Sequence, residues 1–321
     1  MNRTDFDSLL TAADAGDNDA INKIHDVYAT ITYLNNNFTA ADVAVYQKQP
    51  IGPYSLHHIA LLIYMFNHDI VEFKKYLLES VDQKCSQSYV LLAYMIDHDI
   101  MEHDATFEEL IDAAIKMKNS NAYIELGLKT TNEKKKIKLL KKAIKLGNRN
   151  AIHELGLHYH DTKNYDMAVK YYRRSIDSGA FLSHFNLAVM HREGEGVLRD
   201  TDKALQLFHV ARENGCNRAA TAIGSIFYER GDEDTAQQYF MEAIANGDPM
   251  ACYNFGHMHK QRGNIFEAMR CFVEGTKRGS DSCKRELVRF GVINFDLTDA
   301  ELKQHCDLFE MVRHFGANDY Y

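Results

Sequence analysis

Six cysteines and sixteen histidines are the side chains best suited to chemistry in this chain of 321 residues. Thiolates and imidazoles bind zinc when a CxxC knuckle or an HExxH helical turn brings them to one point. His153, His158 and His160 cluster without either spacing, and so do Cys252, His257 and His259. His191 and His259 also stand where sister segments carry Tyr28, Tyr159 and Phe227, which reads as replacement of a packing aromatic. The chain has no GxSxG elbow, no GxxxxGK loop and no GxGxxG behind a strand, the signatures of acyl transfer and of nucleotide binding. The carboxylates Asp97, Asp99, Glu102, Asp104, Glu108, Glu109 and Asp112 read as a solvated acidic run rather than as an acid/base pair. These patterns predict a protein that is not an enzyme, with no catalytic residue, no metal and no cofactor.

The elements that position these residues repeat. A small residue, an apolar one and often a Gly recur as AYIELG (Ala122 to Gly127), AIHELG (Ala151 to Gly156), SHFNLA (Ser183 to Ala188), ATAIG (Ala220 to Gly224) and ACYNFG (Ala251 to Gly256). Extended both ways, the register starts at Ala20, Ser55, Ser88, Ala122, Ala151, Ser183, Ala219, Ala251 and Cys283, in steps of 29 to 36 residues. A period of that size predicts stacked supersecondary units. Four residues before a start stands Gly16, Gly147, Gly179, Gly215, Gly247 or Gly279, with Lys84 and Lys118 where the pattern is worn. Such a Gly supplies the left-handed corner that ends one helix and turns the chain into the next. The refrain therefore opens a helix A. A second apolar stripe, such as Ala168, Tyr171, Tyr172 and Ser175 or Ala236, Tyr239, Phe240 and Ala243, predicts a helix B behind it. Small residues at Gly156, Ala168, Gly224, Ala236, Gly256 and Ala268 mark close helix approach, while the aromatic pairs fill space against the next hairpin. Only stacking buries the apolar face of each hairpin, so the predicted fold is all-α, an α-solenoid.

The stretch from Ser183 to Gly215, with its Gly194-Glu195-Gly196-Val197 turn, Asp200 and Lys203-Ala204, resembles a Sel-one-like repeat. The units from Ala151, Ala219 and Ala251 resemble tetratricopeptide repeats, with Ala168, Ala236 and Ala268 following Gly156, Gly224 and Gly256. The resemblance implies a right-handed superhelix of helical hairpins. It divides the chain into N-terminal capping helices and a degenerate first repeat (1–54), degenerate repeats (55–120), well-formed repeats (121–282) and C-terminal capping helices with a short tail (283–321). Thr298-Asp299-Ala300-Glu301 is a capping box, with Leu302, Cys306, Phe309 and Met311 following and His314 and Gly316 closing the last helix.

In such solenoids the A helices line a concave wall. Positions just before each start, and two, six and nine after it, collect Tyr54, His57, Leu61, Tyr64, Tyr94, Phe185, Val189, Arg192, Arg218, Tyr228, Tyr253, His257 and Lys260. An aromatic, mildly basic groove of that kind suits an extended peptide or a partner helix. Asn186 and Asn254 occupy the position of the Asn that clamps a C-terminal carboxylate in tetratricopeptide grooves, but the unit between them carries Ala222, so the clamp is incomplete. The expected role is an intracellular scaffold or adaptor that binds a protein or peptide.

Two alternatives stay open. Lys134, Lys135, Lys136, Lys138, Lys141, Lys142 and Lys145 surround a narrow stripe of Ile137, Leu140 and Ile144. This helix is either a soluble outer face set against the preceding acidic run or, as the segment 134–145, a dock for nucleic acid or an acidic partner. No aromatics interleave the lysines, and the net charge of -8 disfavours nucleic acid and anionic membranes as the main target. The other alternative is a hydrolase like the Cys-rich members of the resembled family, which pair cysteines in every unit. Here only the unit from Ala251 has two, Cys252 and Cys271, which reads as buried thiols in a reducing compartment. The longest apolar run, Ile59 to Phe66, is too short to span a bilayer, and MNRTDFDSLL lacks the regions of a secretory signal, so a cytoplasmic location is expected.

Overall fold

The computed structural model describes residues 3–17, 20, 38–48, 52–180 and 182–315, with side chains to position 307. The start at Ala20 and the Pro50-Ile51 punctuation have their surroundings outside the described residues. So do Gly316, the tail, and the side chains of Phe309, Met311 and His314. Among the described residues there are eighteen α-helices, one π-helical turn and no strand. The fold is an α-solenoid of tandem helical hairpins, in two compact units of residues 1–180 and 181–321.

The N-terminal unit holds α1 (Arg3–Asp14), α2 (Ala40–Tyr46), α3 (Pro53–Leu62), α4 (Ile70–Asp82), α5 (Ser86–Asp97), α6 (Phe107–Lys116), α7 (Ser120–Lys129), α8 (Glu133–Lys145), α9 (Asn150–Asp161) and α10 (Tyr165–Asp177). The odd-numbered members from α3 to α9 are A helices, each paired with the B helix that follows and packed on the B helix that precedes it. Adjacent A helices α3 and α5, and α5 and α7, also touch. The C-terminal unit repeats this with α11 (Leu182–Glu193), α12 (Thr201–Glu213), α13 (Asn217–Glu229), α14 (Glu233–Ala245), α15 (Pro249–Gln261) and α16 (Ile265–Lys277). It closes with α17 (Asp281–Arg289) and α18 (Asp299–Phe315), both packed on α16. Thr298 and Glu301 form the expected capping box at the start of α18, and Leu302 and Cys306 are buried behind it.

The corner between hairpins explains the spacing of the refrain. Gly147 has φ +89°, and the five other glycines of that register share the left-handed conformation. Lys84 and Lys118 adopt it too, at φ 63° and 58°. A side chain there costs roughly 1 kcal/mol, which the surrounding stack must offset. The worn N-terminal units therefore keep the geometry without the residue that favours it.

Within a hairpin, a glycine of helix A faces an aromatic of helix B. A methyl added at Gly156 would stand 2.5 Å from the Tyr172 ring, one at Gly224 2.9 Å from Phe240, and one at Gly256 2.5 Å from Phe272. The neighbouring aromatics also turn inward to their own hairpins, Tyr171 stacking on Tyr159 at 5.4 Å and Tyr239 on Phe227 at 5.9 Å. The aromatic pairs thus lock the two helices of one hairpin as well as reaching the next, as Phe240 does to Phe255 and Phe272 to Phe290.

Between hairpins the N-caps of A helices do double duty. Asn119 Oδ1 accepts from the backbone of Asn121 and Ala122, while its Nδ2 donates to Ser86 Oγ on α5 at 3.1 Å. One unit later Asn148 caps α9 and donates to Ser120 Oγ on α7 at 3.1 Å and to Asn121 at 2.6 Å. Asp248 caps α15 and accepts from Thr221 on α13 at 2.5 Å. These caps are buried, so each satisfies a helix terminus and fixes the register of two hairpins at once.

Candidate partner-binding face

Helical phase decides which A-helix positions can meet a partner. Two residues after their starts, His57, Val90, Ile124, His153, Phe185 and Thr221 are buried, because that phase faces the B helix, whereas Tyr253 is half-buried and Arg285 exposed. Six after the start, Tyr94 on α5 and Leu128 on α7 are 43% and 46% exposed. Tyr64 is 41% exposed; it lies in the π-helical turn Ile63–Asn67 that prolongs α3 and ends at His68 in the left-handed conformation. Its ring leans on Phe73 at 5.2 Å, and the Tyr94 ring stacks on His98 at 4.0 Å. Three large apolar side chains are thus held at the surface by successive A helices of one unit. Leu128 stands six after the start at Ala122, in the projected phase, although the residues collected from sequence did not include it.

Beside them stand Glu125 on α7 and Glu154 on α9, each three residues after its start. Burial pushes both carboxyl pKa values up; the charge of Glu125 adds to the rise at Glu154, Lys136 works against it, and His98 works against the rise at Glu125. Asp97 on α5 is paired with Lys129 on α7.

In the C-terminal unit four of the expected groove residues, Arg192, Tyr228, Asn254 and Lys260, serve as rungs between A helices. Arg192 on α11 pairs with Glu229 on α13, and Tyr228 on α13 donates to Gln261 on α15. Asn254 on α15 donates to Ser225 on α13 at 3.1 Å. Lys260 on α15 donates at 2.9 Å to Glu286 on α17, whose carboxylate is 2% exposed. His257 Nε2 lies 3.9 Å from the same carboxylate, Arg289 contacts its other oxygen, and the Tyr253 ring packs against His257 at 4.5 Å. Burial raises the Glu286 pKa, but the Lys260 bond and charge, with His257 and Arg289, outweigh it and hold the group below the usual carboxylate range. Phe185, placed on the groove wall by sequence, is instead buried against Phe208 at 5.3 Å with the Arg218 guanidinium 4.7 Å above its ring. Tyr54 and His57 are likewise inside, bonded to Ser86 and Ser88. Asn186 is half-buried and Arg218 exposed.

A cavity of about 600 Å³ lies among α14, α15, α16 and the start of α18, lined by Met241, Cys252, Phe255, Cys271 and Leu302 among others. Burial pushes the Cys271 thiol up to about 12 and the Cys252 thiol up to about 11, so neither is poised as a thiolate nucleophile. His153, once a metal candidate, is buried beside Tyr172, and burial lowers its pKa to about 4. Among the described residues no three His, Cys, Asp or Glu side chains are arranged to hold a metal ion.

On α8, Leu139, Leu140 and Ala143 are buried, and Ile137 and Ile144 half-buried, so the apolar stripe is broader than the sequence suggested. Among the described residues none of its lysines makes an ion pair with the acidic run 97–112, where Lys129 of α7 is paired with Asp97.

Family models match in two places, a Sel1 repeat over residues 182–216 and a tetratricopeptide repeat over residues 150–178. The chain is a Sel1-like, tetratricopeptide-like repeat protein. Both matches fall on hairpins described above, α11–α12 and α9–α10. In the Sel1-like repeat, Gly194 and Gly196 take the left-handed conformation, Arg199 Nε donates to the Arg192 carbonyl at 3.0 Å, and Asp200 caps α12 by accepting from Lys203 N at 2.8 Å. Solved structures similar to this repeat protein include a Sel1 repeat protein from Oxalobacter formigenes, 18% identical, with TM-score 0.55, covering 68% of this chain and 96% of that one. Another is c5321, a protective antigen of uropathogenic Escherichia coli with an SLR fold, 19% identical, TM-score 0.50, covering 98% of this chain and 72% of that one. Yeast Tom70 is 14% identical, with TM-score 0.55, covering 94% of this chain and 61% of its own. No curated protein matches the repeat protein in sequence. No helix among the described residues is long and apolar enough to cross a membrane.

Proposed function

We propose that this repeat protein is a non-enzymatic scaffold that holds a partner polypeptide against the A-helix face of its N-terminal unit, with Tyr64, Tyr94 and Leu128 as anchors. The observation that carries this reading is that Tyr94 and Leu128 occupy the same register on touching helices and are both left exposed, although the fold buries large apolar side chains elsewhere on those helices. Rigid aromatic and branched side chains in a row supply contact area at low entropic cost. Glu125 and Glu154 beside them favour a partner segment that carries lysine or arginine. In the C-terminal unit Asn186, Arg218, Tyr253 and His257 form a second, more polar part of the same kind of surface, whereas Arg192, Tyr228, Asn254 and Lys260 act first as internal rungs.

A cysteine nucleophile is disfavoured, because the thiols of Cys85, Cys216, Cys252, Cys271 and Cys283 are all pushed up by burial. Such thiols suit a reducing, cytoplasmic setting. Affinity purification from the host with Tyr64→Ala, Tyr94→Ala and Leu128→Ala combined is expected to deplete the partners recovered with the native chain. An unchanged partner set, from a variant that stays folded, contradicts the reading.

A further inference from the structure

We propose that α8 forms a second docking surface, separate from the A-helix face, for a short acidic polypeptide segment. At about 100° per residue, Lys134, Lys135, Lys138, Lys141, Lys142 and Lys145 fall within one arc of about 120°. All six are exposed, and none lies within ion-pair distance of a carboxylate among the described residues. Cations elsewhere, among them Lys129, Arg192, Arg212, Arg230, Lys260, Arg262, Lys277 and Arg278, meet a carboxylate. Six lysines on one arc thus concentrate positive charge on a chain whose net charge is -8. Lys142 rests 5.5 Å over the Tyr123 ring. On α10, which packs with α8 against α9, Lys170, Arg173 and Arg174 are exposed as well, with Asp166 and Asp177 on their arc.

The extent of the arc selects its occupant. Thirteen helical residues span about 20 Å. Across α7 lies α6, which carries exposed Glu108, Glu109 and Asp112 and is preceded by exposed Asp99, Glu102 and Asp104. A nucleic-acid duplex or a bilayer is longer than α8 and, where it runs on past α7, carries phosphates that those carboxylates repel. A short run of Glu and Asp need not extend that far. The arc also lacks the aromatics on which single-stranded bases stack and the apolar side chains that anchor a helix in a bilayer. Lysine, a hydrated point charge without a fixed fork, suits carboxylates presented by a flexible chain.

The test is fluorescence anisotropy of the full chain with a short labelled Glu-rich peptide, run beside an RNA duplex, phosphatidylserine vesicles and sedimentation of the protein alone. Saturable peptide binding at low salt is expected, weakened at least about tenfold by Lys138→Glu/Lys141→Glu/Lys142→Glu and less by the neutral triple alanine variant, with the thermal midpoint unchanged. Binding untouched by Tyr64→Ala/Tyr94→Ala/Leu128→Ala separates this surface from the A-helix face. Absence of peptide binding at low salt, or indifference to charge reversal, overturns the proposal. Tighter binding to duplex or vesicles overturns it in favour of that ligand, and self-association abolished by the reversal overturns it in favour of a second copy.

Discussion

Lys260 donates to the buried carboxylate of Glu286 at 2.9 Å, tying α15 to α17 near the end of the array. Removing the ammonium leaves a desolvated charge with only His257 and Arg289 near it. Lys260→Ala is expected to cost about 1–3 kcal/mol, and Glu286→Gln added to it to recover part of that loss. The Glu286 pKa is held below its unfolded value, so its contribution is present above the ordinary carboxylate range and fades as pH falls through the lowered value. Urea melts of the two variants between neutral and acid pH check both points; a Lys260→Ala curve as steep as the native one at low pH contradicts this account.

His153 gives a second pH signature, of a different kind. Its folded pKa lies near 4 and its ordinary value is 6.5. Between those values the unfolded chain takes up a proton that the folded chain refuses, so stability falls as pH drops through that window. His153→Phe removes the titrating group and is expected to flatten the loss between neutral pH and pH about 4. An unaltered slope in that variant shows that other groups cause it.

The glycines on helix A separate by what faces them. Gly156→Ala drives a methyl into the Tyr172 ring and is expected to destabilise by about 1–3 kcal/mol. At Gly127 the added methyl meets Leu140 at an ordinary 3.6 Å, and Gly127→Ala is expected to be neutral or stabilising by up to about 1 kcal/mol. Thermal midpoints of the pair decide; equal shifts contradict the packing assigned to Tyr172.

How far the sequence showed this depends on whether a residue's partner is local. Gly147 and its equivalents were legible because a left-handed corner selects glycine, and Tyr172 because its spacing follows helix B. Lys84 and Lys118 take the same corner, yet nothing in a lysine announces it. Phe185 and Tyr94 both lie on A helices, and only the packing of the B helix shows that the first points in and the second out. Glu286 reads as a solvated helix residue until Lys260, far off in sequence, is seen against it.

The cap of α9 offers a test of coupling between hairpins. Asn148→Ala removes both the cap of α9 and the bonds to Ser120 and Asn121, for an expected loss of about 1–2 kcal/mol. Asn148→Asp keeps an acceptor for the cap but loses the donor, and is expected to fall between. Amide exchange along α7 should rise in both variants; protection of α7 equal to the native chain contradicts the double role.

The scaffold reading is tested most directly by site-specific photo-crosslinking in the host, with a benzophenone side chain placed at position 94, at 128, or at the buried position 185. The account predicts that 94 and 128 capture the same partner and that 185 captures none. Capture from 185, or none from 94 and 128 in a folded protein, contradicts it.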